Sequence, residues 1–137
     1  MERFGFAPAN PVVLLDQDAT RENIVSALEH AATHLHGFQS FLFFLSGHFT
    51  SGPYGSEPAG GYTDRYAPVD PDWVRMISGS QLHQLICRIP AEDKTVILDG
   101  GGPEMTKLAS ASGDYLLYTS ASPGQMTRWR VLNFADR

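Results

Sequence analysis

Large apolar residues fall in short runs along this chain, set between stretches of Gly, Pro, Ser and Asp. The densest is Phe41-Leu42-Phe43-Phe44-Leu45, and a β-branched run, Thr95-Val96-Ile97-Leu98, lies further on. Continuous apolar runs of this length, bounded by turn residues, predict strands buried on both faces. Val12-Val13-Leu14-Leu15, just after Pro11, predicts another buried strand, and Tyr115-Leu116-Leu117-Tyr118-Thr119 a fourth.

A different period separates the first two runs. Ile24, Ala27, Leu28, Ala31 and Leu35 recur at helical spacing, so residues 21–35 predict a helix with one face packed on a sheet. Asp18 or Thr20 is placed to cap its start, and Gly37 to end it. Leu82, Leu85, Ile86 and Ile89 predict a second helix from about Ser80. Residues 50–64 have neither period and predict a long surface loop. Strand, helix, strand is the unit that builds parallel sheet. The expected fold is a single small α/β domain, a three-layer sandwich with a mostly parallel sheet and helices on its faces.

The chain has 137 residues, 42% of them hydrophobic and 18% charged, which suits one globular domain with a sizeable core. Its net charge of −5 and scattered Lys and Arg argue against nucleic acid. The longest apolar run is too short to span a bilayer, and the N-terminus lacks a signal-peptide core, so no membrane partner and a cytoplasmic location are expected. One cysteine excludes an internal disulfide and an all-cysteine metal site.

Several short segments, in order over about residues 12–128, resemble caspase-like cysteine peptidases, metacaspases in particular. Asp18-Ala19-Thr20-Arg21-Glu22-Asn23-Ile24 looks like the start of that family's helix, and Ser46-Gly47-His48 like the motif with its catalytic histidine. Ala67-Pro68-Val69-Asp70 and Ile77-Ser78-Gly79-Ser80-Gln81-Leu82-His83 are similar to the two segments that follow. Thr95-Val96-Ile97-Leu98-Asp99 matches the strand before the nucleophile, and Ser120-Ala121-Ser122-Pro123-Gly124-Gln125 the small-residue stretch after the next strand.

The resemblance implies a catalytic role for His48, binding of a basic substrate residue by Asp99, and a nucleophilic cysteine at position 101. That position is Gly101. A glycine has no side chain to attack a carbonyl, so His48 is read as vestigial. Phe49 stands where the family has a glycine beside the histidine, and Gly102-Pro103 where it has His-Ser. The family's first strand and helix are not found before residue 12, and the small-subunit segment is not found at the other end. Asp99 has an alternative role as a cap for the loop that follows.

The function implied is therefore a non-catalytic pseudopeptidase that works through protein binding, with a protein partner or self-association expected. The alternatives are a cysteine endopeptidase cleaving after Arg or Lys, and a degenerate fragment with no selected role. No cofactor is expected. Calcium, which the resemblance brings to mind, needs several carboxylates, and the loop offers only Glu57, Asp64 and Asp70. Metal binding by His30 and His34, on one helical face near His36, lacks a third ligand. Cys87 is read as a structural thiol beside an apolar helix face. A Ser46–His48–Asp99 triad lacks the glycine-flanked serine that would expose a nucleophile.

Overall fold

The computed structural model describes residues 11–52, 63–68, 76–100 and 109–120. Its centre is a parallel three-stranded sheet in the order β1-β5-β6, with β1 at Ser40–Ser46, β5 at Asp93–Asp99 and β6 at Leu116–Thr119. A second, antiparallel sheet follows the order β2-β3-β4, with β2 at His48–Gly52, β3 at Thr63–Ala67 and β4 at Ile77–Ser78. Helices α1 at Arg21–His34 and α2 at Gly79–Cys87 pack with the sheets, and residues 109–112 are also helical. The α/β class and the mostly parallel sheet with helices packed on it stand as the apolar pattern predicts.

Register explains how the core forms. Phe43 pairs with Val96 and Leu45 with Leu98, and Val96 and Leu98 pair with Leu117 and Thr119 across the other edge of β5. Paired residues share a face. This face packs against Ile24 and Leu28 of α1 and Leu82 and Ile86 of α2, and Val96, Leu98, Leu82 and Ile86 are fully enclosed. The two helices touch each other, so both cover this side. Tyr66 of β3 and Ile77 of β4 join the same core and tie the antiparallel sheet to α2. The opposite face carries Leu42, Phe44, Ile97, Leu116 and Tyr118; Phe44, Leu116 and Tyr118 are more than half exposed.

Three sequence expectations need correction. Residues 12–15 are not a strand: Val12, Val13 and Leu15 are exposed, and only Leu14 packs against the core. A short β-prone run is a strand only where a neighbouring edge takes up its backbone groups. None does here among the described residues, and Asp16, at φ 46°, turns the chain away into a 3₁₀ turn at Asp16–Asp18. The expected loop over residues 50–64 is partly sheet, because β2 pairs antiparallel with β3 from His48 opposite Ala67 to Gly52 opposite Thr63. Pairing overrides the low strand propensity of Ser51 and Gly52. Residues 53–62 lie outside the described residues, as do Glu57 and Asp70.

The third correction concerns helix ends. α1 ends at His34, three residues before Gly37, while its start bears out Thr20, one of the two expected caps, whose hydroxyl accepts from the Asn23 N–H at 3.2 Å. α2 begins at Gly79, capped by Ser78. The Ser78 hydroxyl accepts from the Gln81 N–H and the Gln81 side-chain oxygen accepts from the Ser78 N–H, both at 3.1 Å. At its far end the Lys94 ammonium donates to the carbonyls of Ile86, Cys87 and Ile89 at 3.0–3.5 Å, placing positive charge where the helix dipole is negative. Ile89 is buried although the helix ends at Cys87. No helix among the described residues is long and apolar enough to cross a membrane.

Because Ser78 is buried and serves both halves of the capping box, Ser78→Ala is expected to lower stability by about 1–2 kcal/mol. Urea unfolding should show a lower midpoint with the same slope. An unchanged midpoint would mean that the cap contributes nothing to α2.

Candidate functional site at the carboxyl end of the parallel sheet

Strands β1 and β5 run side by side and end level, with Ser46 opposite Asp99. The Ser46 hydroxyl donates to one carboxylate oxygen of Asp99 at 3.2 Å, and the Gly47 N–H donates to the Asp99 carbonyl at 3.1 Å. The next strand closes on the same point. The Gly100 N–H donates to the Ser120 hydroxyl at 2.9 Å, and the Ser120 N–H to the Leu98 carbonyl at 3.1 Å. Open α/β sheets form their sites at this edge, where the chain leaves the strands and loops meet.

Two glycines allow this closeness. Gly100 has φ +149°, and a Cβ there would run into the Gly47 carbonyl oxygen and the Phe49 ring. A Cβ on Gly47 would run into the ring of Tyr66. Phe49 is half-buried and its ring lies tilted on Tyr66, with centroids 5.4 Å apart at 58°. Phe49 therefore fills the space between Tyr66 and Gly100. Burial raises the Tyr66 phenol above its ordinary range.

His48 begins β2, opposite Ala67, and its side chain is exposed. Strand alternation sends it to the face opposite Phe49. The structure brings His48 and Asp99 to the same end of the molecule but records no hydrogen bond between them. Gly101, where the resemblance implies a nucleophile, lies outside the described residues. The Ser46 hydroxyl is held by Asp99 directly, whereas a triad, which the sequence already argued against, needs the imidazole between them.

A second group of polar side chains, unrecognised in the sequence, lies at the other end of β5. The His83 ring is 2.9 Å from the Tyr115 hydroxyl, and the Cys87 sulfur is 3.6 Å from Nε2 and 3.7 Å from Nδ1 of His83. His83 and Cys87 stand one helical turn apart, the signal that could have found the pair. Near-equal distances to both ring nitrogens place the sulfur off the lone-pair direction of either, so the ring is not aligned to take the thiol proton. Burial pushes the Cys87 thiol up to about 11, helped by its hydrogen bond to Asp114 and that carboxylate's charge, while Lys94 and Ser112 pull weakly the other way. Burial, then the neighbouring Cys87 and Asp114, also raises the Tyr115 phenol. This is a protonated thiol in a packed corner.

His30 and His34 stack with ring centroids 3.9 Å apart on the exposed face of α1, with His34 Nδ1 taken up by the His30 carbonyl and the Thr33 hydroxyl. Among the described residues no three His, Cys, Asp or Glu side chains group as metal ligands do. A shallow cleft of about 190 Å³, lined by Ala109, Tyr115, Leu116 and Thr119 among others, is smaller than ordinary small-molecule sites.

No protein-family model matches the chain, and no curated protein matches it in sequence. Among solved structures it is similar to the crystal structure of protein GSU0716 from Geobacter sulfurreducens, at 22% identity and a TM-score of 0.52. The match covers 74% of this chain and 38% of that one, so this chain spans well under half of its neighbour's length. At that identity the likeness shows the fold alone.

Gly100→Ala should destabilise by about 2 kcal/mol or more, since it adds a steric collision to an unfavourable φ. Gly113, at φ +69° with nothing near its Cβ position, is the control: alanine there should cost only about 1 kcal/mol. Equal losses would show that the approach of Gly47 to Gly100 is not a tight one. Cys87 should react slowly with a thiol reagent, its rate climbing only toward pH 11 and rising several-fold in Asp114→Asn. The unfolded thiol ionises first as pH rises, so the fold also loses stability through that window. Labelling at neutral pH as fast as in the unfolded chain would refute the packed-thiol assignment.

Proposed function

We propose that this chain is a non-catalytic, caspase-like domain that acts through protein binding at the carboxyl end of its parallel sheet. The observation that carries the reading is a juxtaposition. Ser46-Gly47-His48 leaves β1 and Asp99-Gly100 leaves β5 in adjacent register, while the next residue along is Gly101. This is the frame that the family resemblance implies, without the thiol that covalent catalysis requires.

The remaining chemistry suits recognition. One oxygen of the Asp99 carboxylate takes the Ser46 hydroxyl, and the residue is partly exposed at the strand end, where it would meet a guanidinium or ammonium group. The domain would hold a segment carrying Arg or Lys without cutting it. We place it in the cytoplasm, the reducing compartment in which a lone thiol such as Cys87 persists. The alternative of an active endopeptidase would have to use Cys87. That thiol stays protonated and adjoins Lys94, roughly 16 Å from Asp99 along β5 at the usual rise of a strand.

Peptides with Arg or Lys, with and without calcium, test the reading against its alternative. No cleavage is expected from the chain, which has no thiol at position 101, or from Gly101→Cys, because Phe49 fills the space beside Gly100 and His48 points to the opposite face of β2. Binding of an uncleaved Arg peptide should weaken about tenfold or more in Asp99→Asn. Turnover abolished by Cys87→Ala would establish the peptidase instead, and binding indifferent to Asp99 would remove the proposed site.

A further inference from the structure

β5 occupies one edge of β1, and no described strand occupies the other. The Gly47 N–H points to β5, and backbone groups alternate along a parallel ladder. Those of Phe41, Phe43 and Leu45 therefore face β5, while those of Ser40, Leu42, Phe44 and Ser46 face outward. Natural edge strands are usually protected by charge, proline, a bulge or brevity. β1 has none of these: it is seven residues long and reads Ser-Phe-Leu-Phe-Phe-Leu-Ser. The opposite edge strand, β6, has four residues.

Its pattern is symmetric about Phe43: a serine at each end encloses large apolar residues only, with Phe41 and Leu45, and Leu42 and Phe44, at equal distances from the centre. We propose that β1 pairs antiparallel with β1 of a second copy across a two-fold axis at Phe43. Ser40 then lies opposite Ser46 of the second copy, Phe41 opposite Leu45, and Leu42 opposite Phe44. Opposed residues belong to the same face, so the helix-covered and open faces of the two sheets each continue across the axis. The outward groups of Leu42 and Phe44 fall opposite one another as hydrogen-bonded pairs, and Phe43 meets its own copy as a non-hydrogen-bonded pair.

Neighbouring registers are worse. Centring the axis on Leu42 sets Ser40 against Phe44, and centring it on Phe44 sets Leu42 against Ser46, each placing a hydroxyl against a large apolar side chain. Shifting by a single pairing step turns the open face of one copy toward the helix face of the other. A foreign strand would need no such symmetry in β1, which is why the occupant assigned is a second copy. The dimer joins the exposed Phe44, Leu116 and Tyr118 of both copies into one open face, and cross-strand Leu42–Phe44 pairs form beside the axis. A two-fold contact uses the same edge on both partners and closes, so assembly stops at two. This goes beyond the binding-module proposal: the outcome leaves Asp99-dependent peptide binding to its own test.

Sedimentation of the full chain across a wide concentration range should show a monomer–dimer equilibrium. Phe44→Lys, at an exposed position that spares the core, should weaken it at least about tenfold by placing charge in the paired edge. Leu116→Lys, equally exposed on β6, should leave it unchanged, with circular dichroism confirming that both variants fold. In a Cys87→Ser background, mild oxidation should cross-link Phe43→Cys, where a non-hydrogen-bonded pair brings Cα atoms within disulfide range, far faster than Phe38→Cys. A wild-type monomer, a dimer that survives Phe44→Lys, dissociation by Leu116→Lys instead, assembly beyond two, or equal cross-linking at 38 and 43 would overturn the proposal.

Discussion

The parallel pairing of β1 with β5 is the constraint from which the rest follows. It sets Ser46 level with Asp99, and it puts Leu45 beside Leu98 and Phe43 beside Val96 under the helices. The Gly47–Asp99 and Gly100–Ser120 hydrogen bonds then carry this alignment one residue past the strands. Backbones approach closely there because both crossing points are glycine. Any side chain at 100 would meet the Gly47 carbonyl, so the geometry of the edge and the identity of its residues are one requirement.

The two ends of β5 show how one strand supports different chemistry. At the start, Lys94 closes the carbonyl end of α2, and the neighbouring Cys87 is kept protonated by burial and by Asp114. Positive charge is spent on the helix dipole instead of on a thiolate. At the end, Asp99 stands partly exposed and hydrogen-bonded by one hydroxyl. A carboxylate in that setting suits recognition of a cation, and a thiol in the other suits packing.

The antiparallel sheet has a supporting role. Phe49 of β2 lies on Tyr66 of β3 and shapes the space beside Gly100, while Tyr66 and Ile77 anchor the sheet to the main core. Its effect on the site is to fix which way His48 points. The strand that places Phe49 inward places His48 outward, and the two cannot both face the Asp99 edge. A histidine at the end of a buried strand is recognisable in sequence; its direction depends on a partner strand whose composition looks like loop.

The apolar runs at 41–45 and 95–98 and the helical spacing over 21–35 determine, without help, the α/β class, the parallel sheet and one helix. Strong periodic signals survive because burial on that scale outweighs local competition. Ser46-Gly47-His48 and Asp99-Gly100 are likewise legible, since a strand end beside glycines is written in adjacent residues. Tertiary structure alone decided the rest. Residues 12–15 have strand composition but find no edge to pair with among the described residues, and Thr50-Ser51-Gly52 have loop composition but are paired by β3. The Cys87–His83–Tyr115 corner joins α2 to residues about thirty positions away, and the Ser46–Asp99 bond spans fifty-three. A backbone group takes the partner that is near in space, and only the folded chain determines which one that is.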